Sequence, residues 1–266
     1  MDTQSNSSSE GLVYNHLYST KPPGTGLERD LLTARLTRSV LLSDKTSHLE
    51  FEVLGHDRFD FGAGQFVSIR EPKQDGKLVT RAYSLASPPR GDNTFDLCLN
   101  RVDEGFMSNY LCDLEVGHEV HLHGPHGHFV LHPERRDTIF VGTGTGIAPF
   151  RGMVHWLLAD PARHEGHHYW LIYGTRYPQD IYYREEFEKL AAEHPNFHYV
   201  VTLSRPPEDW TGPRGYVQER VKEIVNGRKD MEAYICGLND MVSANRKLLK
   251  EEFGWDRKQI VYERYD

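Results

Sequence analysis

The stretch VGTGTGIAPF, Val141 to Phe150, sets glycines at 142, 144 and 146 between a short apolar run and a segment of helical spacing. Residues without a Cβ let a backbone come close to a bulky anion, and the N–H groups at a helix start attract it. Gly142, Thr143, Gly144, Thr145 and Gly146 are therefore candidates to cradle a pyrophosphate. The spacing is G-x-G-x-G before Ile-Ala-Pro, not the dinucleotide pattern G-x-G-x-x-G. Taken alone, it equally describes a turn that packs a helix on a sheet.

A second stretch, RAYSLASPP, carries Arg81, Tyr83 and Ser84. In a strand Arg81 and Tyr83 share a face and Ser84 turns to the other. The arginine suits a phosphate, the tyrosine a flat ring, and the serine hydroxyl a ring nitrogen. An ordinary strand with one exposed arginine would read the same way. A third stretch, GFMSNYLCDLEVG, predicts a short helix over Gly105 to Leu111, capped near Ser108, whose first N–H groups again suit a phosphate.

Two kinds of pattern position these pieces. From Leu31 to about Leu131, runs such as HLEFEVLG, QFVSIREP and TFDLCLNRV alternate apolar and polar residues between turn signals, which predicts an antiparallel barrel. After Arg135, strand-like and helix-like segments alternate from DTIFVGTG to IVYERYD, which predicts a doubly wound parallel sheet. The expected division is a polar tail and lead-in over 1–30, a β-barrel domain over 31–133 and an α/β domain over 134–266. The change of pattern falls near His132–Arg136.

Taken together, the three stretches resemble the plant-type ferredoxin–NADP+ reductase family. RAYSLAS is similar to its flavin motif, and MSNYLCDLEVGHEVHLHGPHG to its FAD pyrophosphate segment. VGTGTGIAPFR is similar to its NADP pyrophosphate loop, YICGLNDM to its Cys-Gly motif, and ERY to its C-terminal Glu-x-Tyr. The resemblance implies an FAD-binding barrel followed by an NADP(H)-binding domain. It implies that Arg81, with N–H groups around Met107 and Ser108, holds the FAD pyrophosphate. Tyr83 would lie on the isoalloxazine, with Ser84 near flavin N5. Cys236 and Gly237 would flank the nicotinamide, with Glu263 beside Ser84 and Cys236 to orient it. Tyr265 would cover the other flavin face; plant-like members end on this tyrosine, whereas Asp266 follows it here.

The choice of nicotinamide turns on the 2′-phosphate, which requires cations and hydroxyls. Ser204, Arg205, Arg214 and Tyr216 resemble the arrangement of NADP-using members, and Arg176 adds a positive charge. Glu208 and Asp209 stand in the same region, and RPPEDW is also similar to NADH-using relatives. The implied activity is electron transfer between NADP(H) and a one-electron carrier, ferredoxin or flavodoxin. The alternative is an NADH-dependent reductase component serving an oxygenase or another dedicated partner. A further alternative is a flavin-binding regulatory subunit without turnover.

The formal charge of −8, without an offsetting basic block, argues against nucleic acid as a partner. No apolar run approaches the roughly 18 residues of a membrane span. Cys98, Cys112 and Cys236 form no CxxC pair and too few ligands for a four-cysteine cluster, and with the polar N-terminus they suit a cytoplasmic protein. The six histidines between His118 and His132 lack carboxylate or cysteine ligands at metal spacing, so a decorated surface strand is expected there and no metal.

Overall fold

A computed structural model describes residues 31–265, so the predicted tail over 1–30 and Asp266 lie outside the described residues. Six strands form the first sheet: β1 Leu32–Ser43, β2 Thr46–Val53, β3 Phe66–Pro72, β4 Leu78–Ser84, β5 Thr94–Asn100 and β6 Glu119–His126. Their order is β4-β3-β6-β1-β2-β5, with antiparallel pairing throughout. The sheet closes on itself where Leu85, just past β4, bridges Leu97 of β5 and the Ala86 N–H donates to the Asp96 carbonyl at 2.8 Å. This is the barrel expected from the alternating pattern. In β2, Leu49, Phe51 and Val53 point into its core while Glu50 and Glu52 face outward. Before β6 comes a short helix, α1 Phe106–Cys112.

Five parallel strands form the second sheet: β7 Thr138–Thr143, β8 Tyr169–Thr175, β9 Phe197–Leu203, β10 Glu232–Leu238 and β11 Ile260–Tyr265. Their order is β11-β10-β7-β8-β9. The central strands β7 and β10 are buried on both faces, which is why TIFVG and AYICG read as unbroken apolar runs. Helices α2 Ile147–Leu158 and α3 Arg184–Glu193 lie with one core cluster, α4 Val217–Val225 and α5 Asn239–Lys247 with another, the two on opposite faces of the sheet. The cluster beneath α2 also includes Ala86 and Cys98 of the barrel, so the two sheets share a core.

The chain turns from β7 into α2 through a single 3-10 turn, Gly144–Gly146. Strand order reverses at β7, whose neighbours are β8 and β10. A doubly wound sheet opens a crevice at such a switch point, at the carboxyl ends of its strands. The glycine turn therefore stands at the crevice.

Candidate functional site

Strand register brings three of the expected residues into one row. Cys236 is paired with Gly142 on one side and with Glu263 on the other, near the carboxyl ends of β7, β10 and β11. The barrel contributes Ser84 from the end of β4. Its hydroxyl lies 2.9 Å from the Tyr265 hydroxyl and stands near enough to the Glu263 carboxylate to favour its ionised form. The Tyr265 phenol and the Cys236 thiol are near enough to influence each other's ionisation. Ser84, Cys236, Glu263 and Tyr265 thus meet at one point between the sheets.

The electrostatics of this point follow from burial. Desolvation pushes the Glu263 carboxyl up to about 7, and the Ser84 hydroxyl pulls it only partly back. Burial likewise raises the Cys236 thiol and the Tyr265 phenol, so both stay protonated at neutral pH. Glu263 is the group of this cluster that titrates near neutrality.

The glycines of the loop have separate steric reasons. A Cβ on Gly146 would sit 2.2 Å from the Cys236 carbonyl oxygen, and one on Gly237, at φ +145°, would sit 2.6 Å from Thr143 Oγ1. Turn and strand end therefore touch backbone to backbone. Gly142 packs under the Phe150 ring, and Gly144 adopts φ +55° with open space around it. Neither Thr143 nor Gly146 supplies a side-chain cap at the turn or at α2, so the first N–H groups there have no side-chain partner. Thr143 Oγ1 is buried without a hydrogen-bond partner, and Thr145 is half-buried beside it in sequence. N–H groups without a side-chain cap, a buried hydroxyl lacking a partner and glycines at alternate positions fit a pyrophosphate.

On the barrel, Ile69 faces Arg81 and Val67 faces Tyr83 across the β3–β4 ladder, so Arg81 and Tyr83 share a face as expected. Tyr83 packs against the barrel core, and burial raises its phenol. Arg81 is exposed, its guanidinium bonded only to the neighbouring Thr80 carbonyl at 2.8 Å. Helix α1 packs near β4. Its cap is Gly105 rather than a residue near Ser108: Ser108 lies within the first turn, buried beside Met107. There its hydroxyl accepts from the Val102 N–H and donates to the Gly105 carbonyl. Because that hydroxyl ties the preceding loop instead of closing the helix, the helix start carries no side-chain cap.

A second group of expected residues gathers beyond β8 and β9. Arg176 and Arg205 are exposed, and their loops run side by side through Ser204 N–H to Thr175 carbonyl and Arg205 N–H to Arg176 carbonyl bonds of 3.0 and 3.1 Å. Tyr216 is 69% exposed, immediately before α4. Arg214 sits here too, but its Nη2 donates to the carbonyls of Pro207, Glu208 and Trp210 at 3.1, 3.1 and 2.8 Å. It holds the RPPEDW loop in shape, a task the sequence pattern did not indicate.

The histidines expected to decorate β6 go to different partners. His121 bonds the buried Glu71, and His132 bonds the buried Glu232 at 2.6 Å. Among the described residues no group of three or more His, Cys, Asp or Glu is placed to hold a metal ion. No helix among them is long and apolar enough to cross a membrane.

Two features of the seam between the sheets went unremarked in the sequence. Arg151 of α2 reaches across to the barrel, and Asp96, 1% exposed, receives it. Nothing in their local pattern distinguishes them from surface charges.

Comparison with known proteins identifies the two domains. Residues 33–131 match the oxidoreductase FAD-binding domain, and residues 140–247 match the oxidoreductase NAD-binding domain. The chain is 40% identical over 247 residues to ferredoxin–NADP reductase B of Sorangium cellulosum (strain So ce56), covering 90% of this chain and 100% of that protein. It is 36% identical over 189 residues to the reductase component of a phenol 2-monooxygenase from Pseudomonas sp. (strain CF600), covering 69% of this chain and 52% of that one. A cytochrome P450 reductase from Amycolatopsis has a similar structure, with a TM-score of 0.79 and 28% identity over 88% of this chain and 69% of its own.

Proposed function

The chain belongs to the ferredoxin–NADP+ reductase family of FAD-dependent oxidoreductases, and from that premise we propose that it moves electrons between NADP(H) and a one-electron protein carrier, ferredoxin or flavodoxin. The observation that carries this reading is the meeting of Ser84, from the barrel, with Cys236, Glu263 and Tyr265, from the parallel sheet. Bound FAD supplies the chemistry of taking two electrons from a nicotinamide together and releasing them singly.

Residues 31–133 form the FAD-binding domain in this reading and 134–266 the NADP(H)-binding domain. Arg81 and the N–H groups of Met107 and Ser108 hold the FAD pyrophosphate. Tyr83 and Tyr265 cover the two faces of the flavin ring, and Ser84 offers its hydroxyl at the ring edge. Gly142 to Gly146 hold the dinucleotide pyrophosphate at the start of α2. Buried Cys236 lines the nicotinamide pocket without filling it, and Gly237, which has no room for a Cβ against Thr143, lets the strand end close on the turn beside it. Glu263 keeps a carboxyl, close to half-protonated at neutral pH, beside Ser84. Arg176, Ser204, Arg205 and Arg214 receive the 2′-phosphate, and exposed Tyr216 stacks on adenine.

Anaerobic titration of the FAD-loaded protein with NADPH and then NADH, following flavin absorbance, tests the reading. Bleaching at low NADPH with NADH much poorer supports it. A preference for NADH favours an oxygenase-reductase component, a reading supported by the 36% identity to the phenol 2-monooxygenase reductase and by Glu208 and Asp209 near the adenosine end. Bound flavin that neither nucleotide reduces overturns turnover altogether.

Arg205 and Arg214 separate in a second test. Arg205→Gln should weaken NADPH about tenfold and leave NADH nearly unchanged, because it removes one charge-assisted contact to a phosphate. Arg214→Gln should weaken both, since it also frees the 207–210 loop. Equal losses for the two nucleotides in Arg205→Gln would remove that residue from the 2′-phosphate site.

A further inference from the structure

We propose that Arg151 is a positioning residue that sets the separation between the flavin strand and the nicotinamide loop. The inference rests on the reading above, in which Ser84 marks one reacting partner and Gly142 to Gly146 the other.

Arg151 lies one turn into α2, the helix that begins at the glycine turn. Its Nη1 donates to the Ala86 carbonyl at 2.9 Å and to Asp96 Oδ2 at 3.0 Å, and its Nε donates to Glu186 Oε1 at 2.7 Å. Ala86 is two residues beyond Ser84, Asp96 is on barrel strand β5, and Glu186 is on α3. One guanidinium therefore joins the nucleotide-loop helix, the segment leaving the flavin strand, and a second helix of the parallel-sheet domain.

The neighbours allow little slack. A Cβ on Gly152 would lie 2.6 Å from the Ser87 carbonyl oxygen, so α2 already touches that segment backbone to backbone. Asp96 is gripped from the other side by Arg90 through bonds of 2.9 and 2.7 Å, and its N–H donates to Ser87 Oγ at 3.0 Å. Tyr183 lies with its ring 4.9 Å from the Arg151 guanidinium carbon, and its hydroxyl meets His48 Nδ1 of β2 at 2.9 Å. It does so at φ +56°, a left-handed conformation that bulky residues adopt only when their surroundings hold them there. Next to it the Thr46 hydroxyl donates to the Tyr182 hydroxyl at 2.6 Å.

Buried ion networks of this kind add little net stability over apolar side chains of similar size. A guanidinium fork differs from a hydrophobic contact in fixing direction at several points at once. An apolar replacement would keep the seam filled yet allow α2 to slide against Ala86. Reaction between two stacked rings is sensitive to such sliding, since about 1 Å of misplacement can cost roughly a hundredfold in rate.

The test uses Arg151→Met in the FAD-loaded protein. FAD content and NADP+ affinity should stay within about twofold of wild type, because neither subsite loses a ligand. The long-wavelength charge-transfer absorbance of nicotinamide stacked on flavin should be lost, and reduction by NADPH should slow by roughly 10- to 100-fold. Arg151→Lys, which keeps the charge without the fork, should not restore either signal. A wild-type band and rate in Arg151→Met would overturn the proposal. Should that variant fail to fold, Glu186→Gln decides: it removes one anchor, and an unchanged band and rate there would equally overturn the proposal. A wild-type protein whose flavin stays oxidised with either nucleotide overturns the functional reading and the positioning role together.

Discussion

Gly146→Ala should leave the flavin content of the protein intact and slow reduction of that flavin by NADPH by about a hundredfold or more. The added Cβ would lie 2.2 Å from the Cys236 carbonyl oxygen, 2.7 Å from its carbon and 3.0 Å from the Gly237 Cα. All three atoms are backbone, so no side chain can rotate out of the way. The end of β10 is held on both sides, by Gly142 and by Glu263, and cannot yield. The 3-10 turn must lift instead, carrying its N–H groups with it. Overpacking of this type costs about 1–3 kcal/mol in stability, while the barrel, with its own core, keeps its shape. Gly144→Ala is the control: nothing stands within 4 Å of its Cβ, and the cost of its φ of +55° is only about 1 kcal/mol. Flavin absorbance per protein, stopped-flow reduction and thermal unfolding of the two variants check this. Wild-type reduction by Gly146→Ala would take the dinucleotide off the loop.

Glu263→Gln should make the protein more stable at pH 8 and change its pH profile between about pH 4.5 and 7. The Glu263 carboxyl has an ordinary value of 4.5 and is pushed up to about 7 in the fold by burial. Its folded pKa therefore exceeds its unfolded one, and the folded state binds more protons between those values. Stability must fall as pH rises through that window and level off above it. The penalty at pH 8 is roughly 3 kcal/mol, which glutamine, uncharged and nearly the same shape, does not carry. Other carboxylates act in the opposite sense. Asp96 is held below its usual range: burial raises it, but its bonds to Arg90 and the charges around it outweigh that. Only the difference between wild type and Glu263→Gln isolates the one group. Unfolding midpoints measured from pH 4 to 9 should diverge above about pH 5 and run parallel above about pH 8. Curves parallel throughout would mean that Glu263 is ionised normally. Flavin reduction should also lose any pH dependence centred near 7 in the glutamine variant.

Much of this molecule is legible in one dimension. Alternation in HLEFEV is enough to place Leu49, Phe51 and Val53 inside and Glu50 and Glu52 outside, because a strand's faces repeat every two residues. Unbroken apolar runs at β7 and β10 indicate strands covered on both faces. RAYS, read as a strand, already puts Arg81 and Tyr83 together. The family resemblance, carried by five motifs in order, pointed to Glu263 beside Ser84 and Cys236.

Tertiary structure alone decided the rest. Ser84 and Tyr265 stand 181 positions apart, and Arg151 and Asp96 stand 55 apart. Local periodicity reports which face a side chain takes, not which distant group it meets there. For that reason the alternation in TFDLCLNRV assigns Asp96 a face without its partners, and that face is covered by α2 and buried against Arg90 and Arg151. Arg214 reads in the sequence as a phosphate ligand alone, and the fold gives it a second task by bending its loop back within reach of the same guanidinium. Ser108 looked like a cap, but the helix begins two residues earlier and turns its hydroxyl to the loop behind. Sequence determined the elements and the order of their motifs, through rules that act over a few residues. The charged seam at Arg151 and the proton affinity of Glu263 arise only when two sheets close on each other and exclude water, which no short stretch of either can do by itself.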